Sequence, residues 1–165
     1  MRSSQPLTVE QETEIEAKQR VLSVIWIALS ASILIYGFLA YMLRVSGSSV
    51  PALPDENLVF LFQFLMGGVF LLGSLNYRKL TRSLAKPRKG VSFKAGVARL
   101  QQRLILSWAL FEVIVILGLV LAFQGLPLQE FYVYVGLSLL SMLAHPPRAS
   151  FLRTIAEGTR ARETN

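Results

Sequence analysis

The amino-acid sequence predicts an all-α integral membrane protein in which four transmembrane helices form two tandem hairpins, with both termini in the cytoplasm. Two observations support this prediction. Of the 165 residues, 53% are hydrophobic and only 16% are charged, and the basic residues are concentrated on one side of the apolar stretches. The predicted segments are a cytoplasmic helical extension over residues 1–20, a first hairpin over 21–76, a basic loop over 77–103, a second hairpin over 104–145 and a basic tail over 146–165.

Three apolar stretches each reach about the length that crosses the roughly 30 Å hydrocarbon core of a bilayer. They run from Val21 to Leu43, from Leu58 to Leu75 and from Leu104 to Phe123. These stretches are the first three predicted spans.

A fourth apolar stretch, from Leu126 to Ala144, is shorter, because Gln129 and Glu130 lie near its start. The sequence Gln-Gly-Leu-Pro over 124–127 is a tight turn signal that joins it to the third span. The fourth stretch is therefore predicted to be the return leg of a hairpin.

The charge distribution sets the predicted orientation. All but one of the 17 Lys and Arg residues lie in the two terminal segments and the basic loop. The connections on the other side contain Asp55, Glu56 and Glu130. The positive-inside rule then places both termini and the basic loop in the cytoplasm, with the chain in the plasma (inner) membrane. The remaining basic residue, Arg44, borders the first span, and we expect it to extend to the interface. The net charge of +7 is explained by topology, so no nucleic-acid partner is predicted.

The apolar stretch that starts at Val21 is predicted to be retained as the first span and not removed as a signal peptide. Four glutamates precede the first apolar stretch, which is longer than the apolar region of a cleavable signal peptide. No Gly or Pro separates the segment rich in glutamate from the apolar stretch, so one helix is expected to continue from the cytoplasm into the membrane. A solvated helical extension is the favoured interpretation, and a docking segment for a soluble partner is the alternative.

The basic loop contains nine Lys and Arg residues and no acidic residue. It is interpreted first as a topology determinant that lies against anionic lipid headgroups, and alternatively as a site for another anionic partner. Pro87 and Gly90 interrupt it, which favours two short interfacial helices whose apolar residues, such as Leu80 and Val97, sit among the headgroups. The residues predicted to bind anionic lipid are Arg78, Lys79, Arg82, Lys86, Arg88 and Lys89.

Glu112 is the most informative single residue, because it lies near the middle of a span with no other charge. A charged side chain at that depth costs about 2.5–3.5 kcal/mol on insertion scales. We therefore expect Glu112 to be neutral, paired or facing a cavity. If its role is packing, the expected hydrogen-bond partner is a neighbouring serine, and the four candidates are Ser30, Ser32, Ser138 and Ser141.

The two halves of the chain align as a repeat at an offset of 81 residues, with Ile27-Ala28-Leu29 against Trp108-Ala109-Leu110 and Gly37 against Gly118. Ala31 then corresponds to Glu112. Small residues permit close helix packing in membranes and favour a bundle or an oligomer. The residues predicted to pack helices are Ala31, Gly37, Gly67, Gly68, Gly118 and Gly136.

No catalytic constellation is visible in the sequence. The single histidine, His145, precedes Pro146-Pro147, where the fourth helix must end, and a structural cap is its favoured interpretation over a catalytic base. Because the chain has no cysteine, disulfides and thiolate metal ligands are excluded. The expectation is a protein that is not an enzyme and has no cofactor, no metal site and no catalytic residue.

The repeated hairpin with one intramembrane carboxyl resembles the c-subunit proteolipids of rotary ATPases. The residues that carry the resemblance are Ala109-Leu110-Phe111-Glu112, followed by Gly118. The resemblance implies a four-span proteolipid in which Glu112 binds a proton or cation. In that family the carboxyl lies on the second helix of a hairpin, whereas Glu112 lies on the first helix of its hairpin.

The leading functional interpretation is a small structural or accessory subunit that associates with itself or with other membrane subunits through its small-residue faces. The second is translocation or sensing of protons or cations through Glu112. A lipid-active enzyme centred on His145 is the third. The accessory-subunit and ion-translocation interpretations are distinguished by the surroundings of Glu112, which can be lipid, a cavity or another helix.

Overall fold

The computed structural model describes residues 9–46, 55–85 and 93–163, and within these ranges the chain is helical with no strand. The prediction of an all-α protein is confirmed. The helices are α1 (Val9–Val45), α2 (Glu56–Ala85), α3 (Phe93–Phe123), α4 (Leu128–Ala144) and α5 (Ala149–Glu163).

Three of these helices are long and apolar enough to cross a membrane, namely α1, α2 and α3. The apolar stretches predicted as the first three spans lie inside them. The fourth predicted span corresponds to α4, which has 17 residues and is therefore about 25 Å long at 1.5 Å per residue.

The central helix of the bundle is α3, which packs against α1, α2, α4 and α5. Its Trp108 and Phe111 side chains are fully buried, and Phe131 of α4 is buried with them. In contrast, α1 packs against α3, α4 and α5, and no contact joins α1 to α2 within the described residues. The first predicted hairpin is therefore not a packed pair of helices, because its two members are held on α3 instead of on each other.

The predicted turn between α3 and α4 is formed by residues 124–127. Gly125 has a φ of 105°, a conformation that glycine adopts without steric cost. Its N–H donates to Ala122 O at 3.2 Å, and Leu126 N–H donates to Leu121 O at 3.0 Å. These two bonds form the Schellman arrangement that ends a helix. Helices α3 and α4 are thus a packed hairpin.

The bundle has two chemically different ends. At the end called here the basic end, α2 and α3 carry Arg78, Lys79, Arg99 and Arg103. At the opposite end lie the turn between α3 and α4, the last residues of α1 and the first residues of α2. Because α1 and α3 approach each other both near their middles and at this opposite end, they are parallel, and α2 and α4 run against them.

At the basic end, the helices continue as a second packed region. Leu80 of α2 and Val97 and Leu100 of α3 are buried, as are Leu152 and Ala156 of α5. The expectation that Leu80 and Val97 lie among lipid headgroups is wrong, because helices pack over them. The basic segments on either side of residues 86–92 are continuations of α2 and α3. They are therefore not the two separate interfacial helices that the sequence predicted. Pro87 and Gly90 lie outside the described residues.

The terminal segments also belong to this region. The basic tail contains α5, which packs against α1, α2 and α3. A Cβ placed on Gly96 of α3 would lie 2.8 Å from a methyl carbon of Ile155 in α5, so a side chain at Gly96 would displace α5. At the other terminus, α1 is one continuous helix from Val9 into the first span, as predicted. Its Ile15 is 4% exposed, so the extension is not solvated on every side.

Candidate functional site

The site lies where α1 and α3 cross near their middles, around the Glu112 carboxyl. Its Oε1 atom is hydrogen-bonded to the Ser32 hydroxyl, and the Tyr36 hydroxyl donates to the same oxygen at 3.3 Å. Ser32 and Tyr36 are one helical turn apart on α1, so they present both hydroxyls on one face. The carboxyl therefore faces a partner helix within the same chain.

The number of available hydrogens favours a neutral Glu112. The Ser32 hydroxyl has one hydrogen, yet its oxygen lies 2.7 Å from Leu29 O as well as beside the carboxyl. A protonated Glu112 donates to the Ser32 oxygen while Ser32 donates to Leu29 O, so both contacts contain a hydrogen. An ionised Glu112 competes with the carbonyl for that one hydrogen. Both contacts of the Ser32 oxygen are therefore satisfied when Glu112 is neutral.

The second carboxyl oxygen is in a different situation. Glu112 Oε2 has no hydrogen-bond partner among the residues that the structure describes, and the side chain is partly exposed. One oxygen is thus held by α1 while the other is available to a proton donor or to a cation. A carboxyl oxygen without a partner can accept a hydrogen bond from a further donor.

Of the four serines predicted as partners, Ser32 is the one that contacts Glu112. Ser30 donates to Trp26 O and Ser141 to Leu137 O, each one turn back in its own helix. Ser138 is fully buried and donates to Phe111 O at 2.6 Å, which ties α4 to α3. The Tyr36 contact was missed by the sequence interpretation, although its spacing of four residues from Ser32 signals a shared face.

The small residues divide into packed and open positions. A Cβ at Gly37 would make ordinary contacts with Tyr132 and Val135, and a Cβ at Gly118 would come within 2.9 Å of Tyr134. These two glycines pack helices as predicted. Ala31 is exposed, and nothing lies within 4 Å of a Cβ built at the remaining three predicted positions, Gly67, Gly68 and Gly136. Within the chain, these four residues do not pack helices.

Gly73 permits the closest approach of α2 to the middle of α3. A Cβ there would lie 2.8 Å from the Phe111 ring. The six residues predicted to pack helices include Gly67 and Gly68 of this helix but not Gly73. All three lie in the same apolar run, so only the packing distinguishes them.

His145 is the residue that ends α4. Its backbone N–H donates to Met142 O, and its Nδ1 lies 2.6 Å from Ser141 O. Because a carbonyl oxygen can only accept, Nδ1 carries the hydrogen. The His145 carbonyl accepts from Trp108 Nε1 at 2.9 Å, and the imidazole ring packs edge-on against Tyr77 at 4.2 Å. The predicted role as a structural cap is confirmed.

The structure describes only part of the predicted lipid-binding set. Arg78 and Lys79 are exposed on α2 at the basic end. The side chain of Arg82, together with Lys86, Arg88 and Lys89, lies outside what the structure describes. Arg44 reaches the turn between α3 and α4, where its Nη2 donates to Gly125 O at 3.1 Å and to Leu126 O at 2.6 Å.

In the described part of the chain, no three or more His, Cys, Asp or Glu side chains are grouped in a way that could hold a metal ion. Comparison with protein-family models, with curated proteins and with solved structures finds no match to this chain.

Proposed function

We propose that this chain is a four-span membrane protein that acts as a structural or accessory subunit, through association of its helices with another copy or with other membrane proteins. Both termini lie in the cytoplasm, and α4 is the fourth span, because it packs in the same bundle as the three long helices. The protein is not an enzyme, since its one histidine is engaged in ending α4.

The observation that carries this proposal is the outer face of α2. Gly67 and Gly68 present bare backbone there with no atom within 4 Å of a built Cβ. Phe60 and Phe64 on the same helix are 71% and 75% exposed. Glycines and large apolar side chains on one face are the composition that lets a second transmembrane helix approach closely. Helix α2 packs against α3 and α5, and its Gln63 donates to the Tyr134 hydroxyl of α4 at 3.2 Å, while Gly67 and Gly68 are exposed and open to a partner.

Replacing both Gly67 and Gly68 by Leu tests the proposal. The expected result is a smaller complex in mild detergent, measured by light scattering, with an unchanged thermal midpoint for the monomer, because no side chain of the chain itself is displaced. The matched control is Val133→Phe with Leu140→Phe, which enlarges two exposed positions on α4 instead. If the glycine variant and the control have the mass of the wild-type complex, association does not use this face and the proposal fails.

Translocation or sensing of protons or cations by Glu112 is the second candidate, as the resemblance to c-subunit proteolipids implies. The observation that favours it is the partner-free Oε2 of a carboxyl whose other oxygen is held by Ser32 and Tyr36. In proteoliposomes, wild-type protein should then dissipate a proton gradient and Glu112→Gln should not, since an amide does not titrate. Equal gradient decay for wild type, Glu112→Gln and empty liposomes would exclude this function.

A further inference from the structure

One side of α2 carries an amide at a depth where the bilayer offers no hydrogen-bond partner. Gln63 lies five residues, or about 7.5 Å, inside the apolar stretch that begins at Leu58, and its side chain is exposed. One N–H of its amide donates to the Tyr134 hydroxyl of α4 at 3.2 Å. The second N–H and the Oε1 atom have no partner in the described part of the chain. Lipid tails supply neither donor nor acceptor, so these two groups need a partner from outside the chain.

The side of α2 that carries Gln63 is also its most open side. At 100° per residue, the exposed residues Phe60, Gln63, Phe64 and Gly67 lie within about 100° of one another around the helix. The two phenylalanines are the most exposed large apolar side chains of α2. Gly67, one turn from Gln63, has no atom within 4 Å of a built Cβ. A second helix can therefore come close enough at Gly67 to reach the amide.

A second copy of the chain supplies the missing groups at the right depth. Every copy has the same orientation in the membrane, so two α2 helices related by a two-fold axis along the membrane normal are parallel, with both Gln63 side chains at one depth. A primary amide is self-complementary, because an N–H of each amide can donate to Oε1 of the other. The remaining N–H of each amide keeps Tyr134 of its own chain. Such a pair gives every N–H and each Oε1 a partner.

The charged residues on this side of α2 do not oppose such a pair. Glu56 and Arg78 lie eleven residues, or about 16 Å, to either side of Gly67. Transmembrane helices that pack through glycine cross at about 40°, so two copies that cross at Gly67 diverge before their like charges meet. We propose that α2 pairs with α2 of a second copy in a parallel two-fold dimer, in which the Gln63 amides hydrogen-bond to each other beside Gly67. This inference rests on the association through α2 proposed above and names the partner as the chain itself.

Single cysteines report which side of α2 faces a second copy, because the chain has no cysteine of its own. In liposomes under mild oxidation, Gly67→Cys should form a disulfide-linked dimer. The matched control is Leu65→Cys, which is also exposed but lies about 160° around the helix from Gly67, so it should stay monomeric. Equal cross-linking at both positions, or none at Gly67→Cys, would overturn the two-fold pair.

Two further variants separate the contact between copies from the contact within the chain. Gln63→Leu removes both contacts and should weaken the dimer about tenfold, a factor equivalent to 1.4 kcal/mol, as measured by sedimentation equilibrium in mild detergent. Tyr134→Phe removes only the hydrogen bond within the chain and should leave the dimer dissociation constant unchanged. If the two variants weaken the dimer equally, the amide acts only within its own chain and the proposal is wrong.

Gln63→Glu tests whether the two side chains face each other. A protonated carboxyl has one donor and one acceptor, so two of them pair as amides do, whereas two carboxylates at one depth repel. The dimer of this variant should persist at low pH and dissociate as the pH rises and the carboxyls ionise, while the wild-type dimer should not respond. A Gln63→Glu dimer that is equally stable at low and high pH would show that residue 63 does not meet its counterpart.

Failure of this inference is distinguishable from failure of the proposed function. Suppose that the purified chain is monomeric in sedimentation and Gly67→Cys forms no dimer, yet replacing Gly67 and Gly68 by Leu reduces the mass of the complex extracted from native membranes. The partner of α2 is then a different protein, so the two-fold pair is excluded and the proposed association remains.

Discussion

Trp26 and Trp108 hold the same end of α4 from two different helices. Trp26 of α1 donates its indole N–H to Met142 O at 3.0 Å, and Trp108 of α3 donates to His145 O at 2.9 Å. The last carbonyls of a helix have no partner within it, and in an apolar environment they need one. Trp108 supplies a partner to His145 O, and Trp26 adds a second one to Met142 O, which also accepts from the His145 backbone N–H. The parallel helices α1 and α3 thus both bind the end of α4. The two tryptophans are 82 residues apart in the sequence, one more than the 81-residue offset at which the two halves align.

Replacing Trp108 by Phe should destabilise the bundle more than replacing Trp26 by Phe. Trp108 is fully buried, so its loss leaves both a cavity and an unpaired carbonyl, at a cost of about 1–3 kcal/mol for the carbonyl alone. Trp26 is partly exposed, and its acceptor, Met142 O, keeps the backbone N–H of His145 as a partner when the indole is lost. Reversible unfolding in mixed micelles measures the free energy of unfolding of both variants. Equal losses of stability would show that the indole hydrogen bonds do not determine the difference.

Arg44 should be required for the turn between α3 and α4. One guanidinium nitrogen donates to both Gly125 O and Leu126 O, and hydrogen bonds from a charged donor each contribute about 1.5–3 kcal/mol. Arg44→Gln should therefore lower the thermal midpoint. The midpoint of Arg44→Lys, which has a shorter side chain and a single nitrogen, should lie between those of Arg44→Gln and the wild type. Arg78→Gln removes an exposed cation at the other end and serves as the control. If Arg44→Gln unfolds at the temperature of this control, the side chain does not hold the turn.

Replacement by alanine should change the stability of the protein in opposite directions at Gly73 and at Gly68 of α2. Gly73→Ala places a methyl group 2.8 Å from the Phe111 ring, and overpacking of this kind costs about 1–3 kcal/mol. Gly68→Ala meets nothing, and alanine is favoured over glycine in a helix by about 1 kcal/mol. Thermal unfolding of the two variants in the same detergent is the measurement. A Gly73→Ala protein as stable as Gly68→Ala would mean that α2 is not seated on Phe111.

The sequence predicted the helices, the tight turn before α4, the end of α4 at His145 and Ser32 as one of four partners for Glu112. Each of these follows from local pattern or from the cost of burying a charge. The lateral arrangement could not be predicted, because lipid tails are as apolar as leucine. An exposed Leu140 and a buried Leu104 look alike in the sequence for that reason, and so do the open Gly68 and the packed Gly73. The docking of α5 was not predicted, because residues 146–165 were identified only by their charge as a basic tail, although Leu152 and Ala156 lie on one face.

The four-span topology predicts which connections face the cytoplasm. The contact of Arg44 with residues 125 and 126 places the end of α1 beside the turn between α3 and α4, so reporters at Gly47 and Pro127 should report the same, external side. Reporters at Pro87 and at the C-terminus should report the cytoplasm, since the basic residues lie there. Paired alkaline phosphatase and fluorescent protein fusions give the two readouts. A cytoplasmic signal from Gly47 would exclude four spans with both termini inside.

Replacing Glu112 by Gln should preserve the fold. Both hydroxyls contact the same carboxyl atom, Oε1, and an amide oxygen at that position still accepts from Ser32 and Tyr36 without carrying a charge. The thermal midpoint should equal that of wild type. Glu112→Ala, by contrast, removes the acceptor of the Tyr36 hydroxyl and one of the two contacts of Ser32, which keeps Leu29 O. It should lower the midpoint, because each lost hydrogen bond costs about 0.5–1.5 kcal/mol.

Reaction with a hydrophobic carbodiimide, which modifies protonated carboxyls in an apolar environment, shows whether Glu112 also exchanges protons. Because Oε2 has no partner among the described residues, a titrating Glu112 should be labelled at low pH, with labelling that falls as the pH rises and the carboxylate forms. Ser32→Ala should increase the labelling rate at low pH, since it releases Oε1 as well, and Glu112→Gln is the negative control. If wild type is not labelled at any pH while Ser32→Ala is, the carboxyl is locked by α1 in a packing role. The ion-translocation alternative would then be excluded.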